Sequence, residues 1–171
     1  IEKRGIFHTI MIDFVTSYNE TKNGKYLLCC MDTFSKFVFL FPTKDMEAET
    51  VAKILLNEIF YKYNFFRNFA SDLGCNFMSR LVSAVCEIFS MKKLSSSSYS
   101  PSTKGSVEKL NSSIHATLRR LLKTKKNWDE FIPAVQYAYN STISKGHDFC
   151  PSFLYFCNEP SSLFDLNLNI P

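Results

Sequence analysis

The sequence predicts an α/β domain in which a mixed, five-stranded sheet carries helices on its faces. Three observations indicate this class: three short apolar runs stand close together at the start, helical periodicity follows, and further strand-like runs interrupt the helices. The predicted order of elements is β-β-β-α-β-α-β-α-α. With 171 residues, 46% of them hydrophobic, the chain has enough apolar mass for one domain with a full core.

The first three runs predict an antiparallel meander. Residues 8–14 (HTIMIDF) are rich in β-forming residues, and residues 26–31 (YLLCCM) form a continuous apolar run typical of a strand buried on both faces. Residues 37–41 (FVFLF) form the third run. Between the first two runs, Asn23 and Gly24 make the dipeptide that is favoured in tight hairpins, so short connections are expected.

The later elements are predicted from apolar residues at helical spacing. The helical stripes cover residues 48–59, 77–88, 107–121, 128–139 and 151–156. Ile88 closes the second stripe, and Trp128 opens the fourth as an expected core residue. Residues 68–71 and 93–98 predict the fourth and fifth strands, the latter with a serine-rich, exposed edge.

Charge is distributed unevenly along the chain. Between Lys92 and Lys126 there are nine basic residues and a single acid, Glu108, whereas the rest of the chain has a net negative charge. Such a one-sided segment favours a polyanionic partner, and its alternative is a solvated basic helix face.

Several function classes are disfavoured by composition. No apolar run has the length of a membrane span, and no cleavable signal pattern opens the chain. The six cysteines form no C-x-x-C pair and have no useful spacing from the three histidines, so neither a zinc site nor a disulfide framework is expected within this segment. The chain is interpreted as a reduced, intracellular protein and, because it begins with Ile1, as a fragment of a longer one.

Three carboxylates stand out by their surroundings. Asp13 lies within the apolar run IMIDFV, where an uncompensated charge is costly. Asp72 follows the fourth predicted strand, and Glu108 lies about 100° from the core stripe of the long helix. Each alone has a structural explanation: a buried ion pair, a turn cap or a solvated helix residue. Together they can form one cluster, in which divalent cations relieve the mutual repulsion. Asp32 is a rival, but its place beside a turn predicts a structural cap.

These residues lie in stretches that resemble the catalytic core of retroviral and gypsy-type retrotransposon integrases. The resemblance covers nearly the whole chain, with residues 6–160 as the core of a single domain, 1–171, from a longer polyprotein. The matching stretches are IDF (12–14), MDTFSKFVFLFPTKD (31–45), SDLGCNF (71–77), YSPSTKGSVEKLN (99–111), NWDEFIPAVQYAYN (127–140) and PSFLYF (151–156). As in that family's signature, 35 residues separate Asp72 from Glu108.

The resemblance implies an RNase H-like fold, with three antiparallel strands followed by two parallel ones. It implies that Asp13, Asp72 and Glu108 are the catalytic residues and the ligands of two Mg²⁺ or Mn²⁺ ions. The implied reaction is metal-dependent polynucleotidyl transfer: trimming of the 3′ ends of a retroelement's DNA, followed by strand transfer into target DNA.

The same resemblance implies DNA as the partner, with Lys104, Lys109, Asn111, Ser112, His115 and Arg119 as the contacting residues. A homo-oligomer, action in the nucleus, and zinc-binding and C-terminal domains outside this segment are also implied, and no membrane partner is expected. The alternative for Lys109 and Arg119 is plain solvation, and a surface histidine such as His115 is often without function.

The chain departs from the family pattern at Leu73, Asn76, Ser100 and Ser102, which stand where the family often has Asn, Glu, His and Gln. These changes leave the three acids intact but remove polar groups before Glu108. Two alternatives therefore stay open. One is a domesticated or decayed core that acts as a nucleic-acid or protein-binding module, and the other is an RNase H-like nuclease without a joining step.

Overall fold

The computed structural model describes residues 5–15, 19–70, 76–90, 92–93, 112, 116, 127–143 and 148–160. The strands are β1 (Thr9–Val15), β2 (Tyr26–Asp32), β3 (Val38–Thr43), β4 (Asn68–Ala70) and β5 (Lys92–Lys93). The helices are α1 (Ala48–Ile54), which continues as a π-helical segment (Leu55–Phe60), α2 (Asn76–Ile88), α3 (Ile132–Ser141), which follows a 3₁₀ turn (Trp128–Phe131), and α4 (Pro151–Phe156).

The sheet has the order β3-β2-β1-β4-β5. β1 and β2 pair antiparallel, as do β2 and β3, whereas β4 runs parallel to β1 and β5 runs parallel to β4. This confirms the predicted mixed sheet with three antiparallel strands followed by two parallel ones. β1 is the central strand: β2 pairs with Ile10–Val15 along one side, and β4 pairs with Thr9–Met11 along the other.

Two apolar layers cover the two faces of the sheet. Because side chains alternate along a strand, Ile10 and Ile12 of β1 face the layer that contains α1 and α2, while Met11 and Val15 face the layer that contains α3. Trp128, only 1% exposed, belongs to the second layer, as predicted. No helix in the described part of the chain has the length and apolar character that a membrane span requires.

Some predicted details differ from the structure: β1 and β3 each begin one residue later than predicted, and two further differences concern α2 and β5. Ile88 was expected in the core stripe, but it is 51% exposed. α2 ends at Ile88, and Phe89 packs in its place against Phe60, with 5.1 Å between the ring centroids. The fifth strand begins one residue earlier than predicted, at Lys92, and residues 94–98 lie outside the described residues.

The free edge of β3 is closed by side chains of α3. Asn140 accepts a hydrogen bond from the backbone N–H of Val38 and donates one to its carbonyl, both at 2.9 Å. Gln136 accepts from the N–H of Leu40 at 2.7 Å. Pro42, further along the strand, has no N–H to offer. Because these groups are satisfied, β3 does not present an open edge for pairing with another strand.

The predicted hairpin at Asn23-Gly24 is confirmed. Thr21 and Gly24 exchange two backbone hydrogen bonds, and Gly24 has φ +141°, a conformation that L side chains rarely adopt. A methyl group at Gly24 would overlap the backbone carbonyl of Thr43. The tip of this hairpin is therefore pressed against the end of β3, where only glycine fits.

We expect Gly24→Ala to lower the free energy of unfolding by at least about 2 kcal/mol, because the variant combines backbone strain with a collision. Urea unfolding followed by circular dichroism measures the change. Gly5→Ala is the matched control: among the described residues, no atom beyond its chain neighbours lies within 4 Å of the added methyl, so its effect should stay within about 0.5 kcal/mol. Equal stabilities for the two variants would contradict the close approach of Gly24 to the backbone of Thr43.

Candidate active site

Asp13 lies on the central strand β1, two residues before its end. It is half-buried and pairs in register with Cys29 of β2. Its Oδ1 accepts a hydrogen bond from the backbone N–H of Phe14 at 2.9 Å. By strand alternation Asp13 lies on the same face as Met11 and Val15, the face that α3 covers. The strand thus holds the carboxylate at a defined place between the core and solvent.

The thiol opposite Asp13 stays protonated. Burial raises the pKa of Cys29 well above its ordinary value, and the neighbouring Cys30 and Asp13 raise it further. A neutral thiol is a poor ligand for hard cations, whereas carboxylate oxygens suit Mg²⁺. Of these two neighbours, Asp13 is therefore the one with the chemistry of a magnesium ligand.

Within the described residues, no group of three or more His, Cys, Asp and Glu side chains forms a metal cluster.

Most of the other predicted site residues lie outside the described residues: Asp72, Glu108, Lys104, Lys109, Asn111, His115 and Arg119. Ser112 is described, and it is helical and exposed, as is Ala116 one turn later. Residues four apart share a helix face, so these two mark a solvent-facing side. The helix predicted over residues 107–121 is confirmed at these two positions, and the assignment of the triad stays a prediction.

Asp32 is a structural cap, as predicted. It is fully buried at the end of β2, and its Oδ2 accepts hydrogen bonds from the backbone N–H and the hydroxyl of Ser35, at 2.8 and 2.6 Å. Burial raises the pKa of Asp32, and the bonds from Ser35 and the charge of Lys36 oppose this only in part. Lys36 has φ +63° and lies with Ser35 in the tight turn between β2 and β3. Through its bonds to Ser35, Asp32 organises this turn.

The pH dependence of stability should reveal this buried carboxyl. Because its folded-state pKa is raised, its stabilising contribution is complete below the unfolded value near 3.8 and is lost as the pH rises through the folded-state pKa. Asp32→Asn removes the titration but keeps an oxygen that accepts from Ser35. Its free energy of unfolding relative to wild type should therefore increase between about pH 3.5 and pH 7. Urea unfolding across this pH range measures the difference between the two free energies of unfolding. A difference that stays constant or falls as the pH rises would contradict the conclusion that burial disfavours the charged form of Asp32.

Sequence reasoning missed a carboxylate that the fold brings to another site. Asp129 is 7% exposed, and its Oδ2 accepts a hydrogen bond from the Asn23 amide at 2.7 Å. The neighbouring Trp128 donates from its indole Nε1 to the carbonyl of Asn19, also at 2.7 Å. Both bonds tie the turn before α3 to the segment between β1 and β2. No local pattern signals them, because more than 100 residues separate the partners.

Relatives of the chain are found among Pol polyproteins. It is 37% identical over 154 residues to the Gag-Pol polyprotein of feline leukemia virus, an alignment that covers 86% of this chain and 9% of that polyprotein. It is 25% identical over 152 residues to the retrovirus-related Pol polyprotein from transposon 412 of Drosophila melanogaster, covering 88% of this chain and 12% of the relative. The chain thus spans a small part of these relatives. No protein-family model matches it.

Solved structures with a similar fold are retroviral integrase cores. The catalytic core domain of BIV integrase superposes with a TM-score of 0.66 at 18% identity, covering 87% of this chain and 93% of that one. The HTLV-2 integrase catalytic core domain in complex with magnesium, in its trimeric form, gives a TM-score of 0.65 at 19% identity, covering 88% and 97%. The chain is homologous to a segment of retroviral and retrotransposon Pol polyproteins and has the RNase H-like fold of the integrase catalytic core.

Proposed function

We propose that this chain is an integrase catalytic core that trims retroelement DNA ends and transfers them into target DNA. The observation that carries the proposal is the position of Asp13: a half-buried carboxylate near the end of the central strand, two residues beyond the last position of β1 that pairs with the parallel strand β4. Homology to Pol polyproteins and the integrase-core fold support the same function.

Connectivity supports Asp72 as the second acid. Ala70, the last residue of β4, pairs in register with Met11 of β1. Asp72 follows Ala70 by two residues, just as Asp13 follows Met11 by two. Two residues extend a chain by at most about 7 Å, so Asp72 is tethered close to the end of β4. We infer from this tether that the two carboxylates share the site.

Helix spacing supports Glu108 as the third acid. Glu108 precedes the exposed, helical Ser112 by four residues, the spacing at which side chains share a helix face. On this proposal, Asn111, Ser112, His115 and Arg119 continue the DNA-facing side, with Lys104 and Lys109 nearby. Contacts from such residues to phosphates are salt-sensitive and largely independent of sequence.

The three acids would hold two Mg²⁺ or Mn²⁺ ions, and the oxygen donor set fits these hard cations. The HTLV-2 integrase core was solved in complex with magnesium, which supports a divalent cofactor. When bound, such ions supply electrostatic stabilisation of the charge that develops on the reacting phosphate. Asp13 would contribute a negative group, and its pairing with Cys29 of β2 fixes its backbone.

The proposed reaction has two steps and needs no covalent protein intermediate. Water first attacks a phosphodiester near the element's end, and the bond that breaks leaves a free 3′-hydroxyl. That hydroxyl then attacks a phosphodiester of target DNA, so one phosphodiester bond forms as another breaks. Basic side chains would hold both DNA molecules in place. A homo-oligomer, action at nuclear DNA, and DNA-binding domains elsewhere in the polyprotein belong to the same proposal.

Strand transfer with pre-trimmed DNA ends tests the proposal. With Mg²⁺ or Mn²⁺, the protein should join a labelled 3′-recessed duplex to a target duplex, giving products longer than the substrate. Omitting the metal should abolish them. Cleavage without joining would instead indicate an RNase H-like nuclease. If neither product forms, and calorimetry shows no carboxylate-dependent Mg²⁺ binding, the core is a binding module and the catalytic proposal is wrong.

A further inference from the structure

Two buried oxygen atoms on the α1 side of the sheet have no hydrogen-bond partner among the described residues. One is the hydroxyl of Tyr155 in α4, a side chain that is 6% exposed. The other is Oδ1 of the fully buried Asp32, whose Oδ2 is already bonded to Ser35. Leaving a buried polar atom unpaired is costly, so each such atom in a folded protein calls for a physical explanation.

The sheet brings these two side chains to the same place. The backbone N–H of Asp32 donates to the carbonyl of Phe37 at 2.9 Å, so the two residues lie opposite each other across the β2–β3 turn. Leu28 and Cys30 of β2 face the layer that contains α1 and α2, and by strand alternation Asp32 faces it too. The ring of Phe37 stacks on that of Tyr155, with 4.4 Å between the centroids. Asp32 and Tyr155 are therefore both neighbours of the Phe37 side chain.

Tyr155 keeps its proton while Asp32 titrates. Burial raises the pKa of Tyr155 far above its ordinary value, and the charge of Asp32 raises it further. Such an influence of one side chain on the other is expected for groups close together in a buried interior, where charges are weakly screened. The pKa of Asp32 is also raised by burial, but it starts from the low value of a carboxyl group. Tyr155 is thus an O–H donor in both charge states of Asp32.

The groups that surround this pair do not offer another partner for the two oxygens. Ile10 of β1 pairs in register with Asp32, and the ring of Phe7, just before β1, packs against the tyrosine of the pair at 4.9 Å; both are apolar. Two further titratable groups act on the pair. The charge of Lys36 in the turn opposes the effect of burial on Asp32, and Tyr63 faces the tyrosine of the pair with 6.1 Å between the ring centroids.

Of the three buried side-chain oxygens without a partner among the described residues, only the hydroxyl of Tyr155 can donate. The third, Oδ1 of Asp129, is an acceptor in the turn before α3, next to a tryptophan of the other layer. We propose that the Tyr155 hydroxyl donates a hydrogen bond to Oδ1 of Asp32 when this carboxyl ionises, so that a pH-sensitive contact joins α4 to the β2–β3 turn.

The sign of the pH dependence follows from the acceptor. A hydrogen bond to an ionised oxygen is stronger than one to a neutral oxygen, so the contact strengthens when Asp32 releases its proton to solvent. The bond favours the charged form and offsets part of the effect of burial, which still keeps the pKa of Asp32 raised. The contact is internal, so it needs neither a bound ligand nor the proposed DNA chemistry.

A titration of the wild-type protein gives the first test. Carbon-13 NMR follows the carboxyl carbon of Asp32 and the ζ carbon of Tyr155 across the pH range in which the protein is folded. Both signals should change with the same midpoint, because the hydroxyl responds to the charge of its acceptor. A Tyr155 signal that stays constant while Asp32 titrates would overturn the proposal.

Tyr155→Phe separates the hydrogen bond from packing, because the phenyl ring can still stack on Phe37. Without the donor, the pKa of Asp32 should rise by at least about half a unit. Tyr63→Phe is the matched control, since it removes a hydroxyl from a neighbouring ring of the same aromatic group, and it should leave the pKa of Asp32 unchanged. An unchanged or lower pKa in Tyr155→Phe, or an equal rise in the control, would show that this contact does not exist.

Hydrogen exchange tests whether the contact holds α4. The amide hydrogens of Leu154 and Cys157 are bonded within α4, to the carbonyls of Cys150 and Phe153. Corrected for intrinsic rates, they should exchange faster in Tyr155→Phe than in wild type at a pH above the pKa of Asp32, and this difference should shrink below it. A difference that is the same on both sides of that pKa would contradict a pH-sensitive contact.

Discussion

Asp13→Asn should reduce metal-dependent strand transfer by at least about 100-fold while the protein stays folded. The amide keeps the size of the side chain and can still accept from the backbone N–H of Phe14, so the local geometry of β1 survives. The negative charge that a divalent cation requires is lost. The initial rate of joining with pre-trimmed ends measures activity, and circular dichroism during urea unfolding measures stability, which should change by less than about 1 kcal/mol.

Glu49→Gln is the matched control for this variant. It also neutralises one carboxylate, but Glu49 is exposed in the first turn of α1, on the opposite face of the sheet. Its joining rate should equal that of wild type. Asp72→Asn and Glu108→Gln should each match the loss of Asp13→Asn, because the three residues act as one unit. Wild-type turnover in any triad variant would remove that residue from the site.

Trp128→Ala should lower the free energy of unfolding by about 3–5 kcal/mol. The indole is 1% exposed in the layer beneath α3, and its Nε1 donates to the carbonyl of Asn19 at 2.7 Å. Truncation leaves a large cavity and releases the segment between β1 and β2. Because Trp128 is the only tryptophan in the chain, circular dichroism rather than intrinsic fluorescence must follow the unfolding.

Trp128→Phe separates packing from hydrogen bonding. It keeps most of the buried ring area but removes the donor, so it should cost about 1–2 kcal/mol. A loss in the alanine variant no larger than that in the phenylalanine variant would show that the indole does not support the core. Reduced DNA affinity with unchanged stability would instead point to a base-stacking role, which the burial of Trp128 argues against.

Much of the fold was predictable because its signals are local. The apolar run 26–31 lies within β2, the run 37–41 overlaps β3 from Val38 onward, and the spacing at 151–156 is a helix with the predicted bounds. Ile88 was placed wrongly because helical periodicity does not reveal where a helix ends. The aromatic residue that follows has more surface to bury, and it takes the core position against Phe60.

For the candidate site, the sequence analysis identified Asp13, because an acidic residue among apolar neighbours can be recognised from the sequence alone. The structure places it on the central strand, half-buried and two residues past the end of the pairing with β4. Asp129 was not identified, because its neighbours in the sequence resemble those of an ordinary solvated helix start. Its importance comes from burial and from a partner 106 positions away, neither of which a local pattern encodes.

The sequence by itself determined the order of the described strands and helices, the antiparallel meander and the hairpin at Gly24. Period-two and helical spacing, together with turn residues, are properties of short segments. Only the tertiary structure decided that Gln136 and Asn140 seal the edge of β3, and that Asp129 is buried with one oxygen that accepts no hydrogen bond from the described residues. These features depend on contacts between residues about 100 positions apart, and such contacts exist only once the chain has packed.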